Sequence, residues 1–154
     1  MKSNQFEGLN GAGLKVAVVT ARFNQVLTDA MLEDCLKALE TAQVAKEDIV
    51  SVRVPGSFEL PIMAMAFASQ KKFDVIVCMG IIIKGDTKHD HYIADGVTNG
   101  LQRIAMDHQI PVIFGVLTTE NREQAEVRSV GGQKKGWEAG MSAVEMGNLM
   151  KSIR

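Results

Sequence analysis

Near neutral pH, His89 is the side chain best placed to move protons, because an imidazole can both give and take one there. It stands two residues beyond Gly85, Asp86 and Thr87, in a short polar break between an apolar run and an amphipathic stretch. A turn from strand into helix leaves backbone N–H groups free at the positive end of the helix dipole, an arrangement that suits a phosphate. Thr87 adds a hydroxyl donor, whereas Asp86 contributes through its backbone only, since its carboxylate repels an anion. Alone, such a triplet is an ordinary helix cap and a helix-start His an ordinary surface residue; together they mark a candidate site. His91 follows His89 at i+2 and so points to another helix face, which argues against a shared metal ion.

Phe23, Phe58 and Phe114 lie at or near predicted strand ends in a chain with only 5% aromatic residues. Each offers a surface on which a planar ring can stack, although any one of them also suits a core. Glu59 beside Phe58 can accept from ring N–H donors or stabilise the following helix start. Arg128 offers a guanidinium fork for phosphate and Lys135 a further cation.

The elements that must position these residues alternate. Residues 14–20 read as a strand, followed by a helix with Thr28 as its cap and Met31, Leu32, Cys35, Leu36 and Leu39 at helical spacing. Val50, Val52 and Val54 alternate with Ser51 and Arg53, the pattern of a half-exposed edge strand. Pro61 opens a helix carrying Ile62, Met63, Ala66 and Phe67. The β-branched run of residues 75–79 reads as a strand covered on both faces. Ile93, Val97, Leu101 and Ile104 mark a long amphipathic helix, residues 112–117 a fourth strand, and Asn121 the cap of a short helix ending near Arg128. Trp137, Met141, Val144 and Leu149 share one face of a last helix. This succession predicts an α/β three-layer sandwich: a four-stranded parallel, flavodoxin-like sheet with helices on both faces. The turns at residues 22–24, 56–59, 84–89 and 118–121 all follow strands and converge on one sheet edge, where open α/β sheets bind ligands.

With 154 residues and 46% hydrophobic content, the chain is expected to form one domain, residues 14–154. A polar, glycine-rich arm of residues 1–13 precedes it, with little to bury in its own subunit; it is expected to be disordered or docked elsewhere. A net charge of −1 without a basic stripe excludes a nucleic-acid footprint. No apolar stretch approaches the ~20 residues of a membrane span, and no signal-peptide core is present, so the protein is read as cytoplasmic. Cys35 and Cys78 suit buried reduced thiols. No dinucleotide fingerprint, Walker lysine, zinc motif or cysteine cluster occurs, so no cofactor and no metal is expected.

Residues 21–24 (Ala-Arg-Phe-Asn), 54–61 (Val-Pro-Gly-Ser-Phe-Glu-Leu-Pro), 80–100 with their Lys-Gly-Asp-Thr-x-His core, and 114–121 followed by Gln124, Ala125 and Arg128 closely resemble the lumazine synthase family in order and spacing. The resemblance implies condensation of 5-amino-6-(D-ribitylamino)uracil with 3,4-dihydroxy-2-butanone 4-phosphate to 6,7-dimethyl-8-ribityllumazine, the penultimate step of riboflavin biosynthesis. It also implies residue roles. Phe23 stacks on the pyrimidine; Ser57, Phe58 and Glu59, with the backbone of Ile81, Ile82 and Ile83, hold its edge and ribityl chain. Gly85, Asp86, Thr87 and Arg128 bind the phosphate, and His89 shuttles protons. Phe114, Arg128 and Lys135 are expected from a neighbouring subunit of a homopentamer. Asp90 and His91 depart from the family pattern of an aromatic and then an acidic residue, and the 129–135 loop and Trp137 also differ. An archaeal-type riboflavin synthase and a non-catalytic flavin-binding or shell-forming protein are the alternatives.

Overall fold

A computed structural model describes residues 5–154. Among them are four strands, β1 (Val16–Ala21), β2 (Ile49–Val54), β3 (Val75–Ile83) and β4 (Val112–Thr119). Five α-helices alternate with and follow these strands: α1 (Gln25–Thr41), α2 (Leu60–Ser69), α3 (His89–His108), α4 (Arg122–Arg128) and α5 (Lys135–Ser152). All pairings are parallel and the sheet order is β2-β1-β3-β4, the expected flavodoxin-like arrangement. The winding direction reverses between β1 and β3, which opens a crevice beyond their carboxyl ends.

Side chains of the central strands alternate between two cores. Val16 and Val18 of β1, with Val75, Val77, Met79 and Ile81 of β3, pack beneath α1 and α5 against Met31, Cys35, Leu39 and Val144. Ala17, Val19, Ala21, Ile76, Cys78 and Ile82 face the other way, against Leu60, Ala64 and Phe67 of α2 and Val97, Leu101 and Ile104 of α3. Burying each Val or Ile contributes about 1.5–3 kcal/mol, so the two central strands are the most strongly anchored part of the sheet. β2 pairs on one side only, as expected of an edge strand, but its alternation holds only in part: Ser51 is exposed and Val54 buried, whereas Val50 near the strand start is exposed and Arg53 is half-buried.

Several sequence expectations change. Helix α1 begins at Gln25, not at a cap formed by Thr28: Asn24 adopts the left-handed conformation (φ 63°, ψ 47°) and turns the chain, while Thr28 is buried inside the first turn. The Thr28 hydroxyl donates to the Gln25 carbonyl at 3.3 Å. On α2, Phe67 is buried as expected, but Ile62 and Ala66 point outward, and the rest of the buried face is Leu60, Ala64 and Ala68. On α5, Met141 and Val144 are buried as expected, but Leu149 is exposed, and the rest of the buried face is Gly136, Ala139, Gly140, Ala143 and Gly147. A Cβ on Gly136 would overlap the Met31 carbonyl, so the glycines allow α5 to lie against the backbone of α1. Hydrophobic periodicity overlooks a packing face made of small residues.

The arm is also closer to its own subunit than its composition suggests. Phe6 and Leu9 pack on the α1–α5 core, the Gly11 N–H donates to the Ala42 carbonyl at 2.6 Å, and Asn148 Nδ2 donates to the Asn10 carbonyl at 2.9 Å. Residues 1–4 lie outside the described residues.

Candidate active site

Three of the four strand-end turns enclose one cavity of about 500 Å³. Phe23, from the turn after β1, supplies one wall; it is 72% exposed, which is unusual for so large an apolar ring. Ser57, Phe58 and Glu59 form a 3-10 turn after β2 and supply another wall. The floor is the end of β3, Ile81, Ile82 and Ile83, which continues four residues beyond the expected strand. Gly85, Thr87 and His89 close the remaining side.

Each wall has a local cause. Asn24 Nδ2 donates to the Ile81 carbonyl at 3.0 Å, tying the turn that carries Phe23 to the cavity floor. Asn suits this corner because its short polar side chain tolerates the left-handed conformation. The Arg22 and Phe23 N–H groups donate to the carbonyls of Val54 and Pro55, so the first two turns are sewn together. Glu59 Oε2 accepts from the Gly56 N–H at 2.9 Å, so part of that carboxylate holds its own turn and the rest faces the cavity.

Among the described residues, the segment before α3 leaves several donors without a partner. Thr87 Oγ1, one residue before the Lys88 N-cap, accepts from the His89 N–H at 3.3 Å, leaving its own hydroxyl proton free to donate. Among the described residues no acceptor engages the N–H groups of Gly85, Asp86 or Thr87. Gly85 has no positive φ, and a Cβ there would meet nothing within 4 Å, so the folded chain itself does not require glycine at this position. His89, the first residue of α3, presents an exposed imidazole beside this loop.

Not every expected residue comes to this cavity. Asp86 lies in the loop but is not part of the lining. Phe114, half-exposed in the middle of β4, Arg128 and Lys135 also lie outside it. Arg128 Nη1 donates to the Gln124 carbonyl at 3.0 Å, and Lys135 Nζ pairs with Glu138 at 3.0 Å. The fourth turn reaches the same sheet edge but opens on a second, smaller cavity of about 240 Å³, with Thr118, Thr119 and Glu120 beside Lys84, His91 and Asp95.

A family model described as 6,7-dimethyl-8-ribityllumazine synthase matches residues 13–151. The chain belongs to this family. Accordingly, it is an enzyme of riboflavin biosynthesis that condenses 5-amino-6-(D-ribitylamino)uracil with 3,4-dihydroxy-2-butanone 4-phosphate, giving 6,7-dimethyl-8-ribityllumazine with loss of phosphate and water.

Asp90 and Ile93 line the lumazine synthase cavity as well, and sequence reasoning assigned neither to it. Ile93 was legible only as helix core. Asp90 separates the two cavities: its side chain is 17% exposed, Oδ1 is buried without a partner among the described residues, and Oδ2 lies 3.8 Å from His91 Nε2. Pro55 and Gly56 complete the wall beside Ser57. Asn24 was given no role of its own, although it closes the 21–24 segment; the bond to the Ile81 carbonyl supplies one.

Proposed function

We propose that the cavity at the ends of β1 and β3 holds both substrates of the lumazine synthase reaction and is completed by a neighbouring copy of the chain. The observation that carries this reading is the meeting of apolar ring walls, a loop of unpartnered N–H groups and a histidine around one cavity. The pyrimidine stacks on Phe23, with its edge and ribityl chain against Ser57, Phe58, Glu59 and the backbone of Ile81, Ile82 and Ile83. The phosphate of the second substrate lies on the Gly85, Asp86 and Thr87 loop, where N–H dipoles and the start of α3 favour negative charge.

His89, next to that loop, moves protons as the amine adds to the ketone, as phosphate leaves and as the ring closes. Its position beside the leaving group suits protonation of the departing phosphate. Holding amine and ketone together removes the entropy of their encounter, which accounts for much of the acceleration expected.

Phe114, Arg128 and Lys135 act on the cavity of an adjacent subunit in a homopentamer, since none of them lines the cavity of its own chain. A closed ring of this kind repeats one heterologous contact. The exposed Ile62, Ala66 and Val26 supply apolar surface for such contacts. We place the enzyme in the cytoplasm: Cys35 and Cys78 are free, buried thiols, as suits a reducing compartment, and no helix among the described residues is long and apolar enough to cross a membrane.

Subunit mixing tests the shared site. His89→Asn and Arg128→Ala proteins, each weakly active alone, are co-refolded, and lumazine formation is followed by absorbance. Random mixing leaves both residues intact at about a quarter of shared sites, so activity well above either parent is expected. Mixed oligomers no more active than the average of the parents would place Arg128 in the same subunit's site or outside the chemistry.

A further inference from the structure

Glycine is unfavourable in the middle of a strand or a helix, because it loses more backbone freedom on folding than any other residue. Gly80 in β3 and Gly96 in α3 occupy such positions, and neither has the positive φ that would call for glycine. Both instead face the same turn of the chain. A Cβ on Gly80 would overlap Ser57 Oγ, and one on Gly96 would stand 3.0 Å from Cε2 and 3.6 Å from Cδ2 of Phe58. Gly100, one helical turn beyond Gly96, meets Pro61 in the same way, with a Cβ 2.9 Å from Pro61 Cβ. Ser57 is buried by this contact, whereas Phe58 stays 62% exposed and lines the cavity.

We propose that Gly80 and Gly96 are positioning residues for pyrimidine recognition: by lacking a Cβ they let Ser57 and Phe58 seat against β3 and α3, and so set the width of the cavity between Phe58 and Phe23. This inference rests on the proposed placement of the pyrimidine against Phe58. The mechanism is steric. A Cβ at Gly96 would stand closer to the aromatic edge than an ordinary van der Waals contact, so one added methyl group moves the ring a few tenths of an ångström toward the cavity. The phosphate loop is on another wall and does not touch Phe58 through Gly96. A change at Gly96 therefore separates the two substrates kinetically.

Gly96→Ala tests this in the full-length enzyme, with KM measured separately for the two substrates. The expected result is a KM for the pyrimidine raised roughly 5- to 10-fold, the scale produced by sub-ångström misplacement, with KM for the butanone phosphate and kcat within about 2-fold of the parent. Phe58→Leu supplies the control: it is expected to raise the pyrimidine KM, and adding Gly96→Ala to it should change nothing more, because the clash is gone. Should Gly96→Ala alone fail to fold, the double variant is compared with Phe58→Leu, and a further rise in pyrimidine KM there overturns the proposal. Equal losses for both substrates in Gly96→Ala also overturn it. If Phe58→Leu leaves the pyrimidine KM unchanged, the placement of the ring itself is wrong; if it raises KM but Gly96→Ala does not, only the role of Gly96 fails.

Discussion

The two faces of the sheet use glycine for opposite ends. Beneath α1, Gly136 and Gly140 of α5 let one helix close on another's backbone, and the result is a sealed core containing Cys35. On the α2–α3 side, Gly80 and Gly96 seat the turn that carries Ser57 and Phe58, and the result is an open cavity whose aromatic walls remain exposed. A missing Cβ thus completes packing where both partners are regular helices, and shapes a site where one partner is the turn at a strand end. The same contrast separates stability from function: damage on the first face should unfold the protein, and damage on the second should change its kinetics.

The strongest way to break that contrast is Gly136→Val, which forces a branched side chain into the Met31 backbone. It should destabilise the fold by about 3 kcal/mol, read as a lower thermal midpoint, with KM unchanged in the fraction that stays folded. An altered KM would show that the two faces are coupled. Asn24→Ala removes the bond to the Ile81 carbonyl and leaves a residue ill-suited to the left-handed conformation, so a loss of about 2 kcal/mol is expected. Asn24→Gly should recover about half of this, since it relieves only the backbone strain. Here stability and the pyrimidine KM should move together, because Phe23 is the adjacent residue.

Arg128→Ala should raise KM for the butanone phosphate roughly 10-fold, the worth of a charge-assisted bond, while the pyrimidine KM stays within about 2-fold. Equal effects on both substrates would count against its phosphate role. The smallest effect concerns the thiols. Burial, joined at Cys35 by the nearby Asp34 charge, pushes Cys35 up to about 12, and burial alone does the same at Cys78. A raised thiol pKa means the folded state holds the proton more tightly than the unfolded state. The stabilisation is therefore complete below pH 9.0 and declines as pH rises toward about 12. Neither thiol should react with a disulfide-exchange reagent at neutral pH until the protein is unfolded, and labelling of the native enzyme would show that the sealed face opens.

Much of this was legible in the chain. Unbroken β-branched runs announced strands covered on both faces, and Asn121 announced the cap of α4, where its side chain accepts from the Gln124 N–H at 2.9 Å. That Gly85, Thr87 and His89 lie together was legible because the polar break after β3 concentrates donor-rich residues in a few positions, and all three line one cavity. Less visible were faces built from absence. Gly136, Gly140 and Ala143 carry no hydrophobic signal, so the eye settles on Leu149, which is exposed. Asp90, next to the best acid–base candidate, stood out in the sequence only as a departure from the family pattern, and the structure makes it a wall between two cavities.

The sequence by itself determined which residues can do chemistry and that they follow strands, because residue type fixes proton affinity and charge while short-range periodicity fixes secondary structure. Only the tertiary structure decided which of them share a cavity. Phe23, Phe58 and His89 meet although 66 residues of chain separate the first from the last, since parallel crossovers bring successive strand ends to one edge. Arg128 and Lys135 fold away from that cavity for the same reason: α4 and the start of α5 follow β4, on the far side of β3 from β1.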